Sequence, residues 1–219
     1  MFKNPERVHT AITAAFEKRV LVWLAERTPR AIGPDHLTLL ALASQILAGV
    51  SYALGSQNVR LLWMVNVFLA LNWLGDSLDG TLARIRNCQR PRYGFYVDHV
   101  TDCFGVTFLL GGLGVSGYLQ PLVSVWLLVA YLLLSSEIFL ATYALGRFEM
   151  SYLNIGPTEL RILLCIGNLY LFVQPTTQFR LHLNIVDLGA LIGGMGMVIV
   201  AIVAFARHAR VLYDAERVQ

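Results

Sequence analysis

Between about residues 36 and 206 the chain is a succession of apolar runs, each approaching the ~20 residues that an α-helix needs to cross a bilayer. No other feature limits the fold so strongly. Hydrocarbon offers no partner to a backbone N–H or C=O, so unpaired strand edges are untenable there and helices satisfy themselves. The predicted fold class is therefore all-α, without a sheet. Six spans are read, at about 36–54, 60–86, 93–117, 119–145, 158–173 and 184–206. They are separated by turn-forming stretches such as Gly33-Pro34-Asp35, Gly55-Ser56-Gln57-Asn58 and Gln174-Pro175. Composition agrees: 56% of the 219 residues are hydrophobic and only 14% charged, which belongs to a membrane protein rather than a soluble domain.

The few charges carry topology. Lys3, Arg7, Lys18, Arg19, Arg27 and Arg30 precede the first span, and Arg84, Arg86, Arg90 and Arg92 follow the second. Arg147 follows the fourth, and Arg207, Arg210 and Arg217 follow the sixth, whereas the alternate connections hold only Arg60 and Arg180. By the positive-inside rule both termini are expected on the cytoplasmic side. Because the basic residues track topology and build no separate domain, nucleic acid is not an expected partner. No secretory leader is expected either, since the first apolar run follows about thirty polar-rich residues. Cys88, Cys103 and Cys165 are an odd, scattered set and are read as reduced and structural.

Residues 1–33 form a distinct N-terminal segment ahead of a membrane domain at 34–219. From Pro5 to about Glu26, Val8, Ile12, Phe16, Val20 and Leu24 recur at steps of four. This predicts an amphipathic helix, either lying in the membrane interface with Trp23 or packed on the bundle.

Four of the chain's 14 acidic residues fall within positions 76–102. On helices, Asp76 and Asp79 share a face, as do Asp98 and Asp102. If the two helices face each other, four carboxylates meet at the cytoplasmic end of the second and third spans. Two such charges about 5 Å apart repel by roughly 3 kcal/mol at an effective dielectric near 20. The set therefore needs protons or cations, and two divalent ions would balance it. Carboxylate oxygens without clustered thiols or imidazoles favour hard cations, Mg²⁺ or Mn²⁺. Mg²⁺ commonly completes its shell with phosphate oxygens, which points to a phosphate or diphosphate substrate. Gly80 and Ala83, one turn beyond the aspartates, leave room for it, and Arg84 adds a fixed positive charge.

The series Asp76-x2-Asp79-Gly80-x2-Ala83-Arg84-x9-Gly94-x3-Asp98-x3-Asp102 resembles the complete signature of the CDP-alcohol phosphotransferases, with all eight signature residues present. The six-span layout is similar to that family's as well. The resemblance implies attack by an alcohol hydroxyl on the β-phosphorus of a CDP-linked alcohol, giving a phosphodiester and CMP. It implies Asp76, Asp79 and Asp98 as metal ligands and Asp102 as a ligand or the general base. It implies Gly80, Ala83 and Arg84 in the CDP pocket, with Gly94 permitting close approach of the facing helix. The partners implied are a CDP-alcohol donor and an alcohol acceptor, one of them a lipid. Asp98-His99-x2-Asp102 also looks like the Asp-His-Gly-Cys-Asp form of the choline and ethanolamine phosphotransferases, which makes His99 a second candidate proton acceptor.

Other residues are weaker candidates. Glu137 lies inside the fourth apolar run, where an ionisable group is a functional hypothesis by default. Gly156-Pro157-Thr158-Glu159-Leu160-Arg161 reads as a turn into the fifth span, with Thr158 as its cap and Glu159 and Arg161 facing an acceptor pocket. Asp35 stands where the family often carries Asn, and Asn72 lies one turn before Asp76. Asp187 is expected at the membrane interface. Gly189-Ala190-Leu191-Ile192-Gly193 has small-xxx-small spacing, suited to internal packing or to a homodimer seam. Two rivals to the transferase are an intramembrane prenyltransferase, which expects two well-separated acidic motifs, and a cation transporter, which expects carboxylates near the bilayer midplane.

Overall fold

The computed structural model describes residues 6–8, 14–149, 157–174 and 183–216. Among them are seven helices: α1 (Ala14–Arg27), α2 (Pro34–Gly55), α3 (Leu61–Ile85), α4 (Pro91–Val115), α5 (Pro121–Leu145), α6 (Pro157–Val173) and α7 (Ile185–Ala215). Four of the starts are prolines, whose fixed φ suits the first helical position and whose missing N–H costs nothing there. Helix α3 ends in a Schellman turn. Asn87 takes φ +52°, its N–H reaches the Arg84 carbonyl, and the Cys88 N–H reaches the Ala83 carbonyl. Helix α5 ends at Gly146, with φ +69°.

Helices α2, α3, α5 and α7 are each long and apolar enough to cross a membrane. Two expected spans are less apolar or shorter. Helix α4 has the length, 25 residues, but gives up apolar character to Asp98, His99 and Asp102, and α6 has 17 residues. The expectation of no sheet yields at one place: β1 (Glu6–Val8) and β2 (Arg147–Glu149) form a parallel pair. The predicted helix from Pro5 is corrected accordingly, because the backbone of residues 6–8 pairs with β2 instead of coiling. Residues 9–13 lie outside the described residues.

Packing centres on α2, which lies against both α3 and α4. Glycine makes these approaches possible. A Cβ at Gly112 would overlap the Gly49 backbone, and one at Gly75 would stand 2.9 Å from the Ala41 nitrogen. At Gly189 and Gly193, by contrast, an added Cβ meets nothing within 4 Å, while Ala190 and Leu191 between them pack on the core. The larger core cluster includes Tyr52, Leu62, Val65, Leu69, Leu109 and Tyr118. Within it Tyr52 donates to Asn168 Oδ1 (2.6 Å), and Asn168 donates to Asn66 Oδ1 (2.7 Å), tying α2, α6 and α3 by a satisfied polar chain. Asp187, expected at the membrane interface, is buried in the bundle. It accepts from the N–H groups of Asn184 (2.9 Å) and Gln120 (2.8 Å), which fixes the start of α7 to the α4–α5 turn. A smaller cluster joins Leu21 and Ala25 of α1 to Leu37, Leu78 and Leu82 beneath the acidic motif.

Candidate functional site

The tight α3–α4 turn sends the two motif helices back along one another. Asp76, Asp98 and Asp102 each offer a carboxylate oxygen, and these oxygens lie within 4.8 Å of one another. The fourth aspartate turns elsewhere. Asp79 Oδ2 accepts from Thr38 Oγ1 of α2 at 2.6 Å, and Asp79 is buried. The structure therefore converges three of the four predicted carboxylates and joins the fourth to α2. Like charges in this proximity need protons or a compensating cation, and Arg161 supplies one positive charge. Its Nη2 donates to Asp76 Oδ2 at 2.5 Å and its Nε to Asn72 Oδ1 at 2.8 Å. Asn72, fully buried, is in turn held by the Ala41 carbonyl at 3.1 Å.

Beside the cluster opens a cavity of about 440 Å³ between α2, α3 and the start of α4. Its wall includes Asp79, Gly80, Ala83, Arg84, Gly94 and Asp98. The small residues predicted to admit a substrate are thus at its surface. Gly94 differs from expectation in one respect: a Cβ there meets nothing within 4 Å, so it borders open space rather than a closely approaching helix. Arg84 donates to Thr81 Oγ1 at 3.0 Å while lining the cavity. At the mouth Asp35 pairs with Arg90, whose guanidinium lies 4.2 Å over the Tyr93 ring. The hydrogen bond to Asp35 raises the Arg90 pKa above its ordinary value.

His99 faces away from this cavity. It stacks on Phe95 (centroids 4.2 Å apart, 30° between planes) and meets the edge of Phe139 at 4.5 Å, and its Nδ1 is 3.6 Å from Asp98 Oδ2. It borders a second, apolar hollow of about 400 Å³ between α4 and α5, with Phe95, Cys103, Leu132 and Phe139. Glu137 pairs with His208 of α7 at 2.6 Å. The side chain of Glu159 lies outside the described residues, although its backbone is in α6. Thr158, expected to cap α6, lies inside it and donates to a carboxylate that sequence reasoning missed, Glu17 Oε1, at 3.2 Å. The same oxygen accepts from Trp73 Nε1 (2.7 Å) and Ser77 Oγ (3.2 Å). Glu17 thereby binds α1 to the motif helix and to α6. Nothing in its local sequence marks it, since charged residues at this spacing ordinarily face water. Thr38, one turn inside α2, is a further residue of the site that the sequence reading did not single out.

The three carboxylates fit a hard divalent cation, being oxygen donors without thiol or imidazole among them. A family model described as CDP-alcohol phosphatidyltransferase matches residues 31–206. No curated protein matches the chain.

Proposed function

The chain belongs to the CDP-alcohol phosphatidyltransferase family, and from that premise we propose how it works as a transferase of phospholipid synthesis. It moves a phospho-alcohol or phosphatidyl group from a CDP-linked alcohol to the hydroxyl of a second alcohol, one of the two substrates being a lipid, and releases CMP. The observation that carries this reading is the meeting of Asp76, Asp98 and Asp102 beside a cavity walled by Gly80, Ala83 and Arg84.

Asp76, Asp98 and Asp102 would hold divalent metal, with Asp79 completing the set at the cavity wall; the ions would be Mg²⁺ or Mn²⁺, two in number. Bound there, such ions would neutralise the carboxylates and the charge of a diphosphate. Arg84 binds a phosphate oxygen, while Gly80, Ala83 and Gly94 leave the nucleotide room against the helices. A carboxylate oxygen of Asp102 takes the proton of the acceptor hydroxyl as the hydroxyl oxygen bonds to the β-phosphorus. The bond from β-phosphorus to the bridging oxygen breaks, and CMP leaves with that oxygen. Fixing both reactants in a shielded cavity supplies much of the acceleration. The stacking of His99 against Phe95 and Phe139, on the side of the apolar hollow, favours Asp102 as the base. Glu137 (paired with His208), Glu159 and Arg161 (held at Asp76 and Asn72) are the candidates for the acceptor's surroundings.

In this reading α2 to α7 are six spans, α1 lies at the interface as part of an N-terminal segment at 1–33, and both termini and the site are cytoplasmic. The protein works as a homodimer in the membrane. Family membership favours this transferase over a prenyltransferase or a cation transporter.

The test is CMP release from a panel of CDP-alcohols and acceptors by protein in detergent or liposomes with Mg²⁺ or Mn²⁺. Release is expected with at least one pair and is expected to vanish in Asp98→Asn; no CMP from any donor overturns the reading. His99→Ala is expected to keep near-normal turnover, and a loss of more than about 100-fold, the size of general-base effects, would make His99 the base instead.

A further inference from the structure

We infer that Arg161 is a built-in competitor for the acidic cluster: its guanidinium and a divalent cation contend for the carboxylate of Asp76, so the arginine holds metal affinity down. The inference rests on the metal reading proposed above and goes beyond it, because it concerns what the metal must displace.

Three observations combine. Arg161 Nη2 lies 2.5 Å from Asp76 Oδ2, and both side chains are largely buried, 15% and 19% exposed, so water screens the pair little. Asp76 is one of the three residues whose oxygens gather within 4.8 Å, so an ion held by all three draws on the carboxylate that Arg161 already engages. The guanidinium is also not loose. Its Nε is bonded to Asn72, which is buried and fixed to the backbone of α2. One cation against three carboxylates leaves the cluster net negative, so a divalent ion is still attracted. That ion, however, must share or take Asp76 and tolerate a fixed positive charge beside it.

The alternative role for such a residue has the opposite sign. A neighbour that merely orients a ligand raises metal affinity, and its removal typically weakens binding 10- to 100-fold. Competition predicts tighter binding on removal. By linkage, metal and arginine then oppose each other equally, and coupling between sites of this kind commonly amounts to about 5- to 150-fold.

The experiment is a Mn²⁺ titration of the full-length protein in detergent, following the electron paramagnetic resonance signal of the free aquo ion. Arg161→Gln is expected to bind Mn²⁺ at least about fivefold more tightly than wild type. Arg161→Lys, which keeps the charge but not the planar fork, is expected to gain less. Without metal the Gln variant is expected to melt lower than wild type, and Mn²⁺ is expected to raise its Tm by more. Unchanged or weaker Mn²⁺ binding in Arg161→Gln overturns the inference; if that variant fails to fold, Arg161→Lys decides by the same criterion. Absence of Mn²⁺ binding in wild type and variants alike overturns the metal centre and this inference with it. Tighter binding in the variant together with no CMP release from any donor upholds the competition and overturns the transferase reading alone.

Discussion

At the scale of single residues, the site depends on where each side chain points along a shared helix. Asp76 and Asp79 are three positions apart on α3, yet Asp76 meets α4 and α6 while Asp79 meets Thr38 of α2. Asp98 and His99 are adjacent on α4, yet one borders the polar cavity and the other the aromatic hollow. The cavity gives Gly94 a distinct experimental signature. Because nothing stands within 4 Å of an added Cβ, Gly94→Leu is expected to fold normally and fill space that the donor needs. A rise of roughly tenfold in KM for the CDP-alcohol, with Tm within ~2 °C of wild type, is the expected outcome; one lost methylene-scale fit accounts for an effect of about that size. Steady-state kinetics with a thermal melt checks it, and an unchanged KM would place the donor elsewhere.

At the scale of elements, the motif is held by three supports that share no covalent logic. The α3–α4 turn reverses the chain through Asn87 and a Schellman pair of hydrogen bonds. Helix α2 reaches both motif helices through glycine contacts. Glu17 of α1 gathers Trp73, Ser77 and Thr158. Substituting at the α2–α4 contact should be costly: Gly112→Leu forces atoms into the Gly49 backbone and is expected to destabilise by about 1–3 kcal/mol or more. Gly189→Leu, where a Cβ has open space, is expected to leave the folding of the single chain unchanged. Comparing melting midpoints of the two variants in detergent tests this contrast. If a size measurement then shows Gly189→Leu losing a dimer that wild type forms, the small-residue stretch of α7 is the seam between copies.

At the scale of the molecule, large apolar side chains such as Leu122, Leu140 and Ile192 remain exposed on the outside of the bundle. In water such a surface would aggregate, whereas in a bilayer it is the part that faces lipid. Topology can be read from Cys88, which is exposed in the α3–α4 turn, while Cys103 and Cys165 are partly covered. If the basic end of α3 faces the cytoplasm, as proposed, a membrane-impermeant maleimide labels Cys88 in inverted vesicles and not in sealed right-side-out ones. Equal labelling of Cys88 from outside would reverse the orientation.

The sequence by itself determined what local pattern can determine. Apolar runs of membrane length demand helices, because each backbone group there must be paired within its own segment; the starts read at about 36, 93, 119 and 158 fall at Pro34, Pro91, Pro121 and Pro157 in the structure. The spacing of the eight motif residues was enough to announce the family. What the tertiary structure decided is which of those residues meet. A helix face is about 100° or more wide, so periodicity cannot tell whether Asp79 turns to α4 or to Thr38, nor which wall of α4 receives His99. Contacts between residues far apart in sequence, Arg161 with Asp76, Glu17 with Thr158 and Asp187 with Gln120, leave no periodic trace at all. They arise only when packed helices bring charged groups out of water, where each must find a partner or be costly to bury.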